Sequence, residues 1–144
     1  MLDNITNFIK LNKDKYIDLL KEINGYPSVC DYSSMIIGAY LSTKFDIEPA
    51  YISGEFLLND DDEEGDIHNW LNINGIIIDF TINQFYPNTE IEPIIMRNSS
   101  LYNKYEEFDE YSIPNIYINI ANNSSSFGEY LNKIKEKNIE SMFK

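Results

Sequence analysis

The chain has 144 residues, a formal net charge of −13 at pH 7, 43% hydrophobic and 14% aromatic residues. That length and apolar content suit a single globular domain spanning 1–144 and argue against a disordered chain. The negative field argues against nucleic acid or an anionic membrane as partner and is compatible with a basic protein.

A single cysteine, Cys30, allows no intrachain disulfide and sits comfortably in a reducing compartment. No apolar run reaches transmembrane length, and the start, Met1-Leu2-Asp3-Asn4, lacks the basic region and apolar core of a signal peptide. The expectation is a cytoplasmic protein, with secretion by a route needing no such peptide left open.

Residues 3–23 carry helical periodicity in two patches: Ile5, Phe8 and Ile9, then Tyr16, Leu19, Leu20 and Ile23. Asn12 lies between them as a cap for a second segment, which leaves open one helix or two. Gly25 is placed to stop it. Gly25-Tyr26-Pro27-Ser28 reads as a turn, and Ser28-x-x-Asp31 resembles a capping box with Asp in place of Glu. A helix from Val29 to about Lys44 follows, with Ile36, Ile37, Tyr40 and Leu41 for the core. Cys30 then falls in its first turn, where free backbone N–H groups and the positive end of the dipole favour a thiolate and can bind an oxyanion.

Ala50 to Leu58 reads as a strand, bent at Gly54. Asn59 to Asp66 is an acidic loop. On the calcium-loop pattern Asp60, Asp62, Glu64 and Gly65 fill positions one, three, five and six, but position twelve is Leu71 where a bidentate Glu is needed. A solvated loop beside the cleft is the better reading, and no metal or cofactor is expected.

His68 to Thr81 reads as a β-hairpin about Asn74-Gly75, whose two central residues must take positive φ. That turn sets Ile73 opposite Ile76, Asn72 opposite Ile77 and Leu71 opposite Ile78. Alternation then puts Ile67, Leu71, Ile73, Ile76, Ile78 and Phe80 on one face, with Asn69 the polar exception. His68, Trp70, Asn72, Ile77, Asp79 and Thr81 share the other. His68 and Asp79 become diagonal neighbours within side-chain reach. A carboxylate there can hold the imidazole's tautomer and stabilise its charged form.

Beyond the hairpin, Tyr86-Pro87-Asn88 is a turn and Pro93 to Met96 a short strand. Residues 98–115 have no clear period; Tyr102, Tyr105, Phe108 and Tyr111 fit a helix stripe or a loop. Ile116 to Ile120 alternates like a strand, and a cap at Ser124–Ser126 precedes a helix with Phe127, Tyr130, Leu131 and Ile134 on one face.

Cys30 at a helix start, His68-Asn69-Trp70 opening a strand and Asp79-Phe80-Thr81 closing the next resemble the transglutaminase-like branch of the papain-like cysteine enzymes. The resemblance covers residues 27–85. Small bacterial members with Asp-x-Thr-x-x-Gln-Phe, matched here by Asp79 to Phe85, look closer than the multidomain crosslinkers, because Asp31 stands where transglutaminases commonly have Trp. The resemblance implies an α+β fold with a catalytic helix packed on an antiparallel β-sheet. It also implies a catalytic triad of Cys30, His68 and Asp79 acting through a thioester as a thiol protease, deamidase or acyltransferase. The Cys30 N–H would be one oxyanion donor; Asn24, Tyr26 and Tyr51 are candidates for the second. The substrate would be a peptide or protein, and the acidic surface suits a basic one. The alternative is a non-catalytic acidic interaction or immunity-type module that keeps the fold. The bland readings stand beside these: a lone Cys is usually a small core residue, and a lone strand His a satisfied polar group.

Overall fold

The computed structural model describes residues 2–21, 30–59 and 65–112. The turn and capping box at 25–31 therefore fall largely outside it, as do most of the acidic loop and the strand and helix expected after 115.

Helix α1 runs unbroken from Leu2 to Lys21. Ile5, Ile9, Asn12 and Tyr16 lie on one buried stripe at helical spacing. Asn12 is not a cap: it sits mid-helix, and its Nδ2 donates to the Phe8 carbonyl one turn back at 2.9 Å. That bond satisfies the side chain locally, so the stripe continues through it as one helix rather than two.

Helix α2, Cys30–Phe45, buries Ser33, Ser34, Ile37 and Leu41. It is tied to α1 by the Tyr16 hydroxyl, which donates to the Ser33 carbonyl at 2.8 Å. Phe8 meets Phe45 edge-on, with centroids 5.5 Å apart. The helix ends at Asp46, whose φ of 51° breaks the helical path.

Among the described residues, five strands form one antiparallel sheet in the order β4-β3-β2-β1-β5. They are β1 (Ala50–Phe56), β2 (Asp66–Ile73), β3 (Ile76–Ile78), β4 (Ile94–Ile95) and β5 (Tyr105–Ser112). The β2–β3 register is the one the turn dictates: Leu71↔Ile78, Asn72↔Ile77 and Ile73↔Ile76. Asn74 and Gly75 take φ of 51° and 86°. The chain is thus α+β, with helices beside a five-stranded antiparallel sheet.

Both faces of the hairpin are buried. Phe80 packs edge-on against Tyr16, with centroids at 4.5 Å, so its face of the hairpin looks toward the helices. On the other face Ile52, Trp70, Ile77 and Ile95 form a cluster, covered by Ile91, Leu101, Tyr102 and Tyr105. Residues 98–112, which carry no legible period, are therefore neither a helix stripe nor a free loop. A short 3-10 turn at Tyr102–Lys104 leads into edge strand β5, and together they roof the second face. Ile67 departs from its expected place in the apolar face, being 81% exposed near the start of β2.

Strand β5 carries a bulge at Phe108, where its pairing with β1 shifts between Ser53 and Gly54. A Cβ on Gly54 would collide with the Glu106 carbonyl oxygen and sit 2.8 Å from the Trp70 ring. The bend expected at Gly54 is thus the point where β5 is let close to β1 and over Trp70. Gly54→Ala should lower unfolding free energy by about 2–3 kcal/mol, the scale of an overpacked core. Chemical denaturation will read this. An exposed glycine in an ordinary strand would instead gain stability on the same change.

Candidate functional site

The sheet delivers His68 from β2 with its side chain fully buried. Asp79 comes from the residue after β3. The ladder stops at Leu71↔Ile78. Asp79 leaves it with its N–H donating to the Pro93 carbonyl at 2.8 Å. Released from pairing with Trp70, its carboxylate turns to His68, and His68 Nε2 lies 2.6 Å from Asp79 Oδ2. The two residues expected to be diagonal neighbours are brought together.

The carboxylate is held on every side. Thr81 gives both its backbone N–H and its hydroxyl to Asp79 Oδ1, each at 3.0 Å. The Tyr105 hydroxyl donates to Oδ2 at 2.8 Å. The Asp-x-Thr spacing has a local cause, since a carboxylate can accept from the residue two positions on in a turn. A 3-10 turn, Ile82–Gln84, follows at once. It brings Gln84 back to the imidazole, with its Nε2 at 3.2 Å from His68 Nδ1 and 3.4 Å from Thr81 Oγ1.

Aromatic rings close the site. Phe56 stacks on Phe85 with centroids 4.3 Å apart, and Phe85 meets the His68 ring edge-on at 4.9 Å. Trp70 lies at 5.9 Å from His68, nearly parallel, and Tyr105 meets Trp70 edge-on at 4.9 Å. Water is kept from the pair, which strengthens each electrostatic contact inside.

These surroundings set the ionisation. Burial alone would push the His68 pKa down. The charge of Asp79 and its hydrogen bond overcome that, helped by a hydrogen bond and charge from Cys30, and raise it from 6.5 to about 9. Burial likewise pushes Asp79 up, but the charge and hydrogen bond of His68, with donors from Tyr105 and Thr81, hold it below the usual carboxylate value. The pair is an imidazolium and a carboxylate at neutral pH.

Cys30 is the first residue of α2 and is partly exposed. The Asn69 side chain, on the helix side of β2, donates to its Sγ at 3.5 Å, and Ser34 Oγ donates to the Asn69 carbonyl at 3.3 Å. Asn69, the polar exception on an apolar face, is thereby explained: it anchors the start of α2 against β2, beside His68. The structure thus gathers Cys30, His68 and Asp79 into one neighbourhood.

Asn24 and Tyr26 lie outside the described residues. Tyr51 is a buried β1 residue whose ring meets Tyr111 of β5 at 6.4 Å. Gln84, present in the sequence reading only as part of the Asp-x-Thr-x-x-Gln-Phe pattern, touches the imidazole. Tyr105 had no signal, because only strand pairing brings it near. Among the described residues no group of three His, Cys, Asp or Glu could hold a metal ion, and Leu71, at the twelfth calcium-loop position, is fully buried. No described helix is long and apolar enough to cross a membrane.

No family model matches the chain, and no curated protein or solved structure matches it either.

The pair makes stability depend on pH. His68 binds its proton more tightly folded than unfolded, so its contribution is complete below pH 6.5 and is lost as pH rises through about 9. That shift corresponds to something on the order of 3 kcal/mol. Asp79 acts oppositely, its share being lost only as pH falls through its lowered pKa. Denaturant titrations between pH 6 and 10 should show unfolding free energy falling across 6.5–9 in the wild type, with the fall largely absent in His68→Gln. Parallel curves for the two proteins would mean that the pair carries no such linkage.

Proposed function

We propose that the chain is a cysteine-dependent amide hydrolase, a peptidase or protein deamidase, working through a thioester, with acyl transfer to an amine as the variant outcome of the same intermediate. The fold would then be the papain-like or transglutaminase-like core that the motifs resemble. The reading rests chiefly on one observation: a fully buried imidazole bonded to a carboxylate through Nε2 at 2.6 Å, with the only cysteine of the chain acting on the same ring.

The division of labour follows from the two ring nitrogens. Nε2 is committed to Asp79, which leaves Nδ1 for proton exchange with Cys30. The Cys30 sulfur attacks the amide carbonyl carbon, and charge develops on the carbonyl oxygen. The Cys30 N–H, at a helix start where backbone donors lack intrahelical partners, would donate to that oxygen. The C–N bond breaks as Nδ1–H gives its proton to the leaving nitrogen. Water then attacks the thioester while Nδ1 takes its proton, and carboxylate and thiol are released. An amine in place of water gives transfer.

Gln84 also lies at Nδ1, which has one in-plane lone pair. The Gln84 amide N–H and the Cys30 thiol cannot both donate to it. In the charged form Nδ1–H must itself find an acceptor, and the Cys30 sulfur or a turned Gln84 Oε1 can serve.

A basic peptide or protein substrate fits the charge. Strand β5 leads away from Tyr105 with Glu106, Glu107, Asp109 and Glu110 all exposed.

The decisive experiment is the rate of Cys30 alkylation by iodoacetamide against pH. In the wild type, rapid reaction should persist at pH 6, well below the ionisation of a free thiol. His68→Ala should slow it at least tenfold there, and Asp79→Asn should shift the profile toward that of an ordinary thiol. Slow alkylation, unchanged by His68→Ala, would overturn the enzymatic reading and favour an acidic interaction module on this fold.

A further inference from the structure

Nothing in the proposed chemistry accounts for Tyr105. It stands on β5, at one end of the strand order, 26 residues beyond Asp79 and two strands away from β2. Its hydroxyl nonetheless reaches Asp79 Oδ2 at 2.8 Å, the same oxygen that His68 Nε2 approaches at 2.6 Å. The other oxygen, Oδ1, is already taken by both donors of Thr81. Fixing the carboxylate's orientation therefore does not require Tyr105; Thr81 suffices. Nor does ring packing require a hydroxyl, since the contacts of Tyr105 with Trp70 at 4.9 Å and Phe56 at 5.0 Å involve the ring alone.

We propose that Tyr105 is a positioning residue for the reaction: its hydroxyl shares Asp79 Oδ2 with His68 and so limits how much of the carboxylate's charge the imidazole receives. This rests on the reading of His68 as the proton-transfer group. With Oδ2 accepting from Tyr105, part of its electron density is drawn away from Nε2–H. Without that donor, His68 is left as the principal partner of Oδ2 and holds its proton more tightly. A base that holds its proton too tightly delivers it poorly to a leaving nitrogen. The hydroxyl thus offsets an over-strong ion pair in a dry site.

The other groups facing the imidazole are accounted for among the described residues. Asp79 approaches from the end of β3, Cys30 from α2, and Gln84, which does not ionise, from the 3-10 turn. Phe56, Phe85 and Trp70 are uncharged. Tyr86 acts on Tyr105 rather than on His68. Burial, followed by the charge of Asp79 and the hydrogen bond to it, raises the Tyr105 pKa well above 10, so the hydroxyl remains a donor throughout the working range.

The test is an NMR titration of the His68 ring, carried out in Cys30→Ala protein so that no thiol titrates alongside. Tyr105→Phe keeps the ring and removes the donor. It should raise the proton affinity of His68 by about threefold or more, a pKa increase of about 0.5. Difluorotyrosine placed at 105 is a stronger donor of nearly the same shape and should move the titration the other way. In an Asp79→Asn background the effect of Tyr105→Phe should vanish. A His68 titration unchanged or lowered by Tyr105→Phe, or unmoved by the fluorinated residue, would overturn the proposal and leave Tyr105 as packing.

Because the titration needs no turnover, the two proposals fail separately. Alkylation independent of His68 would remove the enzymatic reading while the titration still reported on Tyr105. His68-dependent alkylation with an unmoved titration would remove only the role of Tyr105.

Discussion

A charged pair with side chains 0% and 1% exposed is the constraint around which the described structure is arranged. Removing an imidazolium and a carboxylate from water costs several kcal/mol each, and their attraction recovers that cost only if the geometry is good and the remaining lone pairs are satisfied. Here the carboxylate meets those conditions through donors from two segments, the turn after Asp79 and strand β5. Thr81 closes one carboxylate oxygen, Tyr105 shares the other, and Gln84 meets the far nitrogen of the ring. A sheet supporting this pair must be short at β3, so that Asp79 is free to turn. It must also be bulged in β5, opposite Ser53 and Gly54, so that Tyr105 is brought inward. Both irregularities are present, and each has this consequence.

The aromatic density has the same origin. Phe56, Trp70, Phe85 and Tyr105 surround His68 with ring centroids between 4.9 and 6.2 Å away. The phenyl rings of Phe56 and Phe85 exclude water without presenting hydrogen-bonding groups that would compete for the imidazole, and the Tyr105 hydroxyl is spent on Asp79. The pair is therefore dry, and its carboxylate is saturated. An antiparallel sheet often leaves one face to solvent. This one covers the His68 face with its own chain, using the segment from Ile91 to Tyr105, and places the helices on the other.

How much of this was legible depends on how local each cause is. The Asn74-Gly75 turn fixes a register, and the register alone puts His68 and Asp79 on one face. The helix start at Cys30 could be read from the apolar spacing beyond it. Asn12 misled because the same residue type serves as a cap and, when bonded to the carbonyl four residues back, as a mid-helix residue. Tyr105 was hidden for a different reason. The β5 sequence Tyr-Glu-Glu-Phe-Asp-Glu-Tyr-Ser does not alternate, because the strand is itself bulged at the exposed Phe108 and need not follow a strict period of two. Its contact with Asp79 comes from sheet order, which no short-range pattern encodes. Gln84 was visible as a residue, but its target depended on the 3-10 turn after Thr81.

The raised pKa of His68 stands against a proton-accepting role, since a group protonated up to about pH 9 is a poor base at neutrality. The conflict disappears under the proposed mechanism if the proton on Nδ1 is the one given up by Cys30. The imidazolium then stands ready as a proton donor. The demand moves to the second half of the acylation step, where the imidazolium must release that proton to the leaving nitrogen. Asp79 favours the charged resting state, and burial works against it. A hydroxyl on the carboxylate and an amide at Nδ1 can adjust the balance without adding charge to a site that could not accommodate more. In such a site the neutral donors around the ion pair, and not the pair alone, govern how readily the proton moves.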